Sequence, residues 1–216
     1  TGETRAVKRY WDPDVRVERE LEALKKLDHP NVVQVLGFHM DDEQDLPCLV
    51  MEHIDAPTLR EELERQTPWG TTHIGIQLAG ALSHLHERGV FHRDLKPSNI
   101  LLLDRRPILI DFGIASVKEG LGGDHLPTLT NTGFALGTTG YVSPEQAGLI
   151  PDAIAGQASD IYSLGVVLYE CLTGRRPFES DAKFEREDRV SLIWGWRRPE
   201  GAQVEDVPTG LRTVIS

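Results

Sequence analysis

Cysteine is scarce in this 216-residue chain, which contains only two, Cys48 and Cys171. Both lie in apolar segments, and two isolated thiols form neither a disulfide framework nor a zinc-ligand pattern. We therefore expect both side chains to be small buried hydrophobes, in a protein that works in a reducing compartment.

Long hydrophobic runs are also missing. No run approaches the roughly 18 apolar residues of a transmembrane helix, and no signal-peptide pattern is found. The chain begins at Thr1 without a methionine and ends at Ser216 inside a helical pattern, so we expect it to be cut from something longer. The absences therefore say little about the parent protein. The reducing compartment expected from the cysteines suits a cytoplasmic location, or the intracellular part of a larger protein.

Positive charge is scarce relative to negative charge. The chain contains 23 Lys and Arg residues and 34 Asp and Glu residues, which gives a net charge of −11. An acidic surface repels phosphate backbones, so the charge balance argues against nucleic-acid binding through bulk electrostatics. Any phosphate site must be built locally, from a few placed cations, backbone amides or metal ions.

The composition is otherwise that of a globular protein, with 39% hydrophobic and 26% charged residues. A strand-rich first region with one helix precedes a mostly helical remainder, which predicts an α+β fold. The expected strands cover 4–10, 32–36 and 49–51, a hairpin covers 100–110, and helices cover 12–27, 58–66, 71–88 and 159–173. Residues 113–143 are rich in Gly and Thr and lack periodicity, as functional segments often do.

The chemistry is concentrated in the octet from His92 to Asn99 and in Asp111 to Gly113, which follows across the expected hairpin. Transfer of a phosphoryl group from ATP to an alcohol needs a carboxylate that orients the hydroxyl and accepts its proton, and Asp94 can do this. The reaction also needs oxygen ligands for Mg²⁺, which Asn99 and Asp111 can supply. A surface loop of ordinary charged residues is the alternative, and the complete octet followed by Asp-Phe-Gly disfavours it.

Four further motifs surround these segments: Ala6-Val7-Lys8, Leu49-Val50-Met51-Glu52, Gly137-Thr138-Thr139-Gly140-Tyr141-Val142-Ser143-Pro144-Glu145 and Ser159-Asp160-Ile161-Tyr162-Ser163-Leu164-Gly165. With them, the sequence resembles the eukaryotic-like (Hanks-type) serine/threonine protein kinases, particularly the bacterial members, over nearly its whole length. The resemblance implies a two-lobed fold, with a small β-rich N-lobe (1–54) and a larger, mostly helical C-lobe (55–216). It also implies protein substrates, ATP, and Mg²⁺ or Mn²⁺.

The resemblance assigns phosphate chemistry to two lysines. Lys8 is the residue that binds the α- and β-phosphates, and Lys96 lies near the γ-phosphate and indicates Ser/Thr rather than Tyr substrates. Lys8 needs a carboxylate partner on the following helix. Glu20 is favoured, because it shares the inward side of that helix, whereas Glu18 and Glu22 face solvent.

The resemblance also indicates which residues bind the adenine base and which support the catalytic loop. Met51 guards the adenine pocket, and main-chain groups of Glu52 and Ile54 bind adenine. His92 packs beneath the aromatic ring of Asp-Phe-Gly and belongs to the core. Asp160 is structural and holds the backbone of the catalytic loop, since a carboxylate in an apolar helix needs partners.

The segment from Asp111 to Glu145 is expected to be a regulatory switch. Bacterial members autophosphorylate at positions that match Thr130 and Thr132, which suggests a homodimer in which one copy phosphorylates the other. Arg93 is the expected charge partner of the phosphothreonine. Thr138 is expected to contact the catalytic loop.

The sequence departs from the family pattern at both ends. The Gly-rich loop of the family would lie before the first residue, and the final C-lobe helices also fall outside the sequence, so we interpret the chain as a fragment. An active serine/threonine kinase is the first hypothesis, and a pseudokinase or interaction module is the second. The presence of Lys8, Asp94, Asn99 and Asp111 favours the first, and the long Thr-rich segment disfavours a small-molecule phosphotransferase.

Overall fold

Three antiparallel strands form the first part of the structure, a computed structural model that describes residues 4–9, 23–41, 46–112, 139–147, 150 and 153–177. The strands are β1 (Arg5–Arg9), β2 (Val35–Asp41) and β3 (Leu46–Glu52), and β3 lies between the other two. As the central strand, β3 has the most buried side chains of the three.

The expected hairpin is confirmed as β4 (Ile100–Leu103) and β5 (Arg106–Leu109). Its two turn residues, Asp104 and Arg105, have φ angles of 50° and 67°, as the tight turns that match strand twist require. At the open end, the N–H of residue 110 donates to the carbonyl of residue 99 (3.0 Å). The hairpin therefore brings the end of the octet beside the Asp-Phe-Gly motif.

The strand expected at 32–36 is wrong in position, because β2 begins only at Val35. The preceding residues pair with β5 instead: the Val33 N–H donates to the Leu109 carbonyl (2.9 Å), and the Leu109 N–H donates to the Asn31 carbonyl (2.8 Å). Buried backbone groups need such partners, and the hairpin supplies them here. This segment thus connects the three-stranded sheet to the rest of the molecule.

Two long helices confirm the expectations at 71–88 and 159–173, with boundaries that differ by a few residues. They are α1 (Pro68–His86) and α2 (Gln157–Thr173). Helix α1 begins after Thr67, whose Oγ1 accepts a hydrogen bond from a first-turn amide. Helix α2 ends at Gly174, whose φ of 70° is the left-handed conformation that terminates many helices.

The helix expected at 58–66 is wrong, because only Leu63–Arg65 form a short 3-10 turn. The start of this segment runs beside β4, where the Leu59 N–H donates to the Ile100 carbonyl (2.7 Å). Tertiary hydrogen bonds thus override the local helical preference. Of the helix expected at 12–27, the structure describes residues 23–27, of which 23–25 are helical.

One hydrophobic core joins the sheet to both helices. The stripe expected on α1 is fully confirmed as buried, and its members are Ile74, Leu78, Ala81, Leu82 and Leu85. On α2, Ile161 is half exposed. Both cysteines are buried, as predicted, and burial raises the pKa of the Cys171 thiol to about 12.

Over the described residues, no helix combines the length and apolar character needed to cross a membrane.

Candidate active site

Asp94 is the centre of a polar cluster in the loop that follows α1. Its Oδ2 accepts hydrogen bonds from Lys96 Nζ (2.8 Å) and from Asn99 Nδ2 (2.9 Å). Asn99 Nδ2 also donates to the main-chain carbonyl of Asp94 (2.8 Å). Among the described residues no donor reaches Asp94 Oδ1, so one carboxylate oxygen is held in place and the other is open to a ligand.

The backbone in front of Asp94 forms a strained turn. The Asp94 N–H donates to the His92 carbonyl (2.9 Å) around Arg93, whose φ is 62°. A γ-turn with a positive central φ is rare and costs conformational energy, so it needs support from its surroundings.

The buried Asp160 carboxylate supports this turn. Its Oδ1 accepts the Arg93 N–H (2.8 Å), and its Oδ2 accepts the His92 N–H (2.9 Å). The same Oδ2 bonds to His86 Nε2 (2.8 Å), which helps to compensate for the burial of a charge that is only 1% exposed. The expectation that Asp160 holds the loop backbone is confirmed.

Strand β1 brings Lys8 to the start of Asp-Phe-Gly. Lys8 Nζ forms an ion pair with Asp111 Oδ1 and lies 3.4 Å from the Phe112 carbonyl oxygen. The Asp111 backbone is left-handed, with a φ of 66°, a region that Asp adopts more readily than most residues. Both side chains of the pair are about a third exposed, so a ligand can reach them.

Asn99 and Asp111, the expected metal ligands, flank the open end of the β4–β5 hairpin. Asn99 turns its amide nitrogen toward Asp94, which leaves its amide oxygen for another partner. One amide oxygen and one carboxylate suit Mg²⁺, which commonly takes one or two protein ligands and fills its shell with phosphate and water. No cluster of three or more His, Cys, Asp or Glu that could hold a metal occurs in the described ranges.

The residues expected to bind adenine lie at the end of β3 and just beyond it. Met51 is buried in the core, and Ile54 packs against that core while partly exposed. Glu52 is tied to the segment before β2, because its N–H donates to the Gln34 carbonyl (3.0 Å) and its Oε1 accepts the Gln34 N–H (2.8 Å). These contacts fix the course of the backbone at the strand end.

Known proteins resemble this chain in both sequence and fold. A family model described as protein kinase domain matches residues 3–205. The chain belongs to the protein kinase family. Its relatives include the serine/threonine-protein kinases pkn3 of Myxococcus xanthus (39% identity over 77% of this chain), PkaA of Streptomyces coelicolor (39% over 99%) and PknB of Mycobacterium tuberculosis (37% over 93%). These matches identify it as a bacterial Hanks-type kinase domain, as the sequence motifs predicted.

The kinase domain spans only 31%, 39% and 32% of the length of these three relatives. A solved structure, Rad53 1-466 in complex with AMP-PNP, aligns with a TM-score of 0.65 and 29% identity. The alignment covers 90% of this chain and 47% of the Rad53 chain. Together with the family match, it confirms the expected α+β kinase-like fold.

His92 of the kinase domain belongs to the core, as predicted. Its side chain is fully buried, its ring centre lies 5.4 Å from that of Phe112, and its Nε2 bonds to the Ile110 carbonyl (3.0 Å). Burial lowers the pKa of the His92 imidazole below 6.5, although nearby carboxylates, Asp160 first among them, act in the opposite direction.

Mild acid is therefore expected to destabilise the kinase domain through His92. Its pKa is lower in the folded than in the unfolded chain, so the unfolded chain binds more protons once the pH falls to about 6.5. The free energy of unfolding should then decline as the pH falls further. Thermal unfolding between pH 8 and pH 5 measures this slope, and His92→Phe should make it shallower. Identical slopes would contradict the prediction. Burial and His84 also lower the pKa of His29, so a residual slope should remain.

A polar cluster around the buried Tyr141 was not predicted from the sequence. Tyr141 Oη donates to Glu170 Oε2 (2.5 Å) and accepts a hydrogen bond from Arg60, which also pairs with Glu170 Oε1 (2.9 Å). Burial, followed by the hydrogen bond to Glu170, raises the pKa of Tyr141. Ser163 Oγ donates to the Tyr141 carbonyl (2.8 Å). The available signal was a carboxylate in the apolar helix α2, which needs partners when buried.

Several predicted residues lie outside the described part of the chain, and their roles stay predictions. They are the carboxylate partner of Lys8, the two proposed phosphorylation sites and the threonine expected at the catalytic loop, namely Glu20, Thr130, Thr132 and Thr138.

Proposed function

We propose that this kinase domain transfers the γ-phosphate of ATP to serine and threonine hydroxyls of proteins. The observation that supports this most is the asymmetry of Asp94, whose Oδ2 is held by Lys96 and Asn99 while Oδ1 meets no donor in the described residues. A substrate hydroxyl can donate to Oδ1, which aims its oxygen at the phosphorus and receives its proton as the new bond forms. The names of the relatives support the same reaction.

Two lysines supply positive charge to the triphosphate. Lys8 binds the α- and β-phosphates, with Asp111 beside it and Glu20 as its further carboxylate partner. Lys96 balances the negative charge on the transferred phosphoryl group. Because Asp94 already holds Lys96 in place, little reorganisation is needed during the reaction.

Other residues of the site are proposed to bind the adenine base and the metal ion. Main-chain groups of Glu52 and Ile54 bind adenine next to Met51, and the alignment with Rad53 in complex with AMP-PNP supports a nucleotide site in this fold. Asn99 and Asp111 would hold Mg²⁺ or Mn²⁺ through their side-chain oxygens. The bound ion would neutralise charge on the phosphates and orient them.

Phosphorylation of Thr130 and Thr132 is proposed to activate the domain, one copy acting on another within a homodimer. Arg93 supports this, because its Nε is buried and has no hydrogen-bond partner in the described ranges. A buried cationic donor of this kind is completed by an anionic acceptor, and a phosphothreonine provides one.

The proposed reaction uses ATP as the phosphate donor, so we propose that the kinase domain acts inside the cell.

The alternative of a pseudokinase or interaction module would be favoured by the loss of a group essential for phosphotransfer. Lys8, Asp94, Asn99 and Asp111 are all retained in the sequence. Each of them also has a polar partner within the site. The active enzyme therefore remains the proposal.

A phosphotransfer assay on the full parent protein tests the proposed function. With γ-labelled ATP, Mg²⁺ and dephosphorylated casein as the probe, label should appear on serine and threonine of casein and on the protein itself. Chelation of Mg²⁺ with EDTA should reduce the signal to background, and added Mg²⁺ or Mn²⁺ should restore it. A folded parent protein that labels nothing in Mg²⁺ would exclude the activity, and label on tyrosine alone would exclude the substrate class.

A further inference from the structure

Gln146 connects two parts of the site, although its position in the sequence did not single it out. It lies in the described segment 139–147, which begins within the last residues of the expected switch region and extends just beyond it. Its Nε2 donates to the Arg93 carbonyl (2.7 Å). Its Oε1 accepts hydrogen bonds from Ser143 N–H (3.3 Å) and from Ser143 Oγ (3.2 Å).

The orientation of the Gln146 amide follows from these neighbours. A flipped amide would set its NH₂ group against the Ser143 N–H and its oxygen against the Arg93 carbonyl, so donor would face donor and acceptor would face acceptor. Ser143 is fully buried, so water has little access to replace the lost contacts. A neutral side chain with a donor and an acceptor at this length satisfies both sides at once.

The carbonyl that Gln146 contacts belongs to the strained turn before Asp94. Asp160 holds the N–H of Arg93 on one side (2.8 Å), and Gln146 holds its C=O on the other (2.7 Å). A residue with a φ of 62° in such a turn persists only when its surroundings hold it there. If the carbonyl contact is lost, the peptide between Arg93 and Asp94 is held, among the described residues, only by the hydrogen bond from the Asp94 N–H to the His92 carbonyl within the turn. A rotation of this weakly held peptide displaces Asp94.

We propose that Gln146 is a positioning residue for Asp94 and couples the segment 139–147 to the catalytic loop. This proposal rests on the proposed kinase activity. With the segment in place, the turn is held from both sides and Asp94 is aimed at the substrate hydroxyl. If the segment is displaced, the contact from Gln146 is lost, and the turn keeps only its internal hydrogen bond and its contacts with Asp160.

Gln146→Glu is the most direct test, because it preserves the size of the side chain and the oxygen that faces Ser143. The substitution removes the donor and sets a second oxygen against the Arg93 carbonyl. In the full parent protein, kcat should fall about tenfold, as expected for one lost hydrogen bond with added repulsion. The KM for ATP should stay nearly unchanged, because no nucleotide contact is altered. Gln146→Met removes the donor without adding charge and should lower kcat less.

Gln66→Glu provides the matched control. Gln66 also donates through Nε2 to a backbone carbonyl, that of Glu62 (3.0 Å), but outside the proposed site. Its kcat should equal that of the wild type. Thermal unfolding of every variant separates a misfolded protein from a misaligned one, and Gln146→Met keeps the test decisive if the carboxylate prevents folding.

A double variant separates positioning from a merely structural role. In an Asp94→Asn background, Gln146→Glu should cause no further loss, because a residue that acts through the carboxylate has no effect once that carboxylate is gone. Multiplying losses, or an unchanged kcat in folded Gln146→Glu, would overturn the positioning role alone. A wild-type parent without phosphotransfer would overturn this proposal and the proposed function together.

Discussion

Asp94→Asn is expected to lower the kcat of phosphotransfer by about 10²–10⁴-fold, with little change in the KM for ATP. Asparagine nearly matches the shape of aspartate, but it cannot accept the proton of the substrate hydroxyl. It also loses the charge that holds Lys96, whose Nζ lies 2.8 Å from Asp94 Oδ2. Steady-state kinetics of the full parent protein with γ-labelled ATP measure the effect.

Asp104→Asn is the control for this substitution. Asp104 lies in the exposed turn between β4 and β5 with a φ of 50°, a conformation that asparagine also adopts readily. The same chemical change is therefore made without strain and outside the polar cluster, and kcat should not change. If Asp94→Asn retained as much activity as Asp104→Asn, the role of Asp94 as the base would have to be abandoned.

Asp160→Ala is expected to lower the free energy of unfolding by about 3–5 kcal/mol. The substitution removes the hydrogen-bond partner of three groups that bond to the carboxylate, namely the His92 N–H, the Arg93 N–H and His86 Nε2. Unpaired buried donors are costly, and of the contacts that hold the strained turn from outside, only that from Gln146 would remain. Urea denaturation measures the loss of stability. Kinetics should show a loss of kcat at least as large as that of Gln146→Glu.

Asp55→Ala and Asp160→Asn sharpen this prediction. Asp55 is exposed, so its removal should change the free energy of unfolding by no more than about 0.5 kcal/mol. Asp160→Asn retains one acceptor oxygen and should fall between the wild type and Asp160→Ala. An Asp160→Ala protein that unfolds at the same urea concentration as Asp55→Ala would show that the carboxylate does not anchor the loop.

Local patterns were sufficient for the two long helices and the hairpin. The buried stripe of α1 follows directly from apolar residues at helical spacing, and the β4–β5 turn follows from a polar break between two short apolar runs. The segments at 32–36 and 58–66 were predicted wrongly, because their backbone groups pair with residues that are distant in the chain. No local propensity contains that information.

For the site, the sequence by itself determined which chemical groups are present. The motif from His92 to Asn99 supplies a carboxylate, a lysine and an amide within six residues, which limits their separation to about 17 Å even in a fully extended loop. Only the tertiary structure decided how the carboxylate is aimed. The turn around Arg93 is strained in isolation, so it depends on Asp160 and Gln146, which come from remote parts of the chain. The role of Asp160 was expected from the family resemblance, whereas that of Gln146 was not. The Gln146 contact arises from the packing of segment 139–147 against the catalytic loop, and no sequence pattern encodes it.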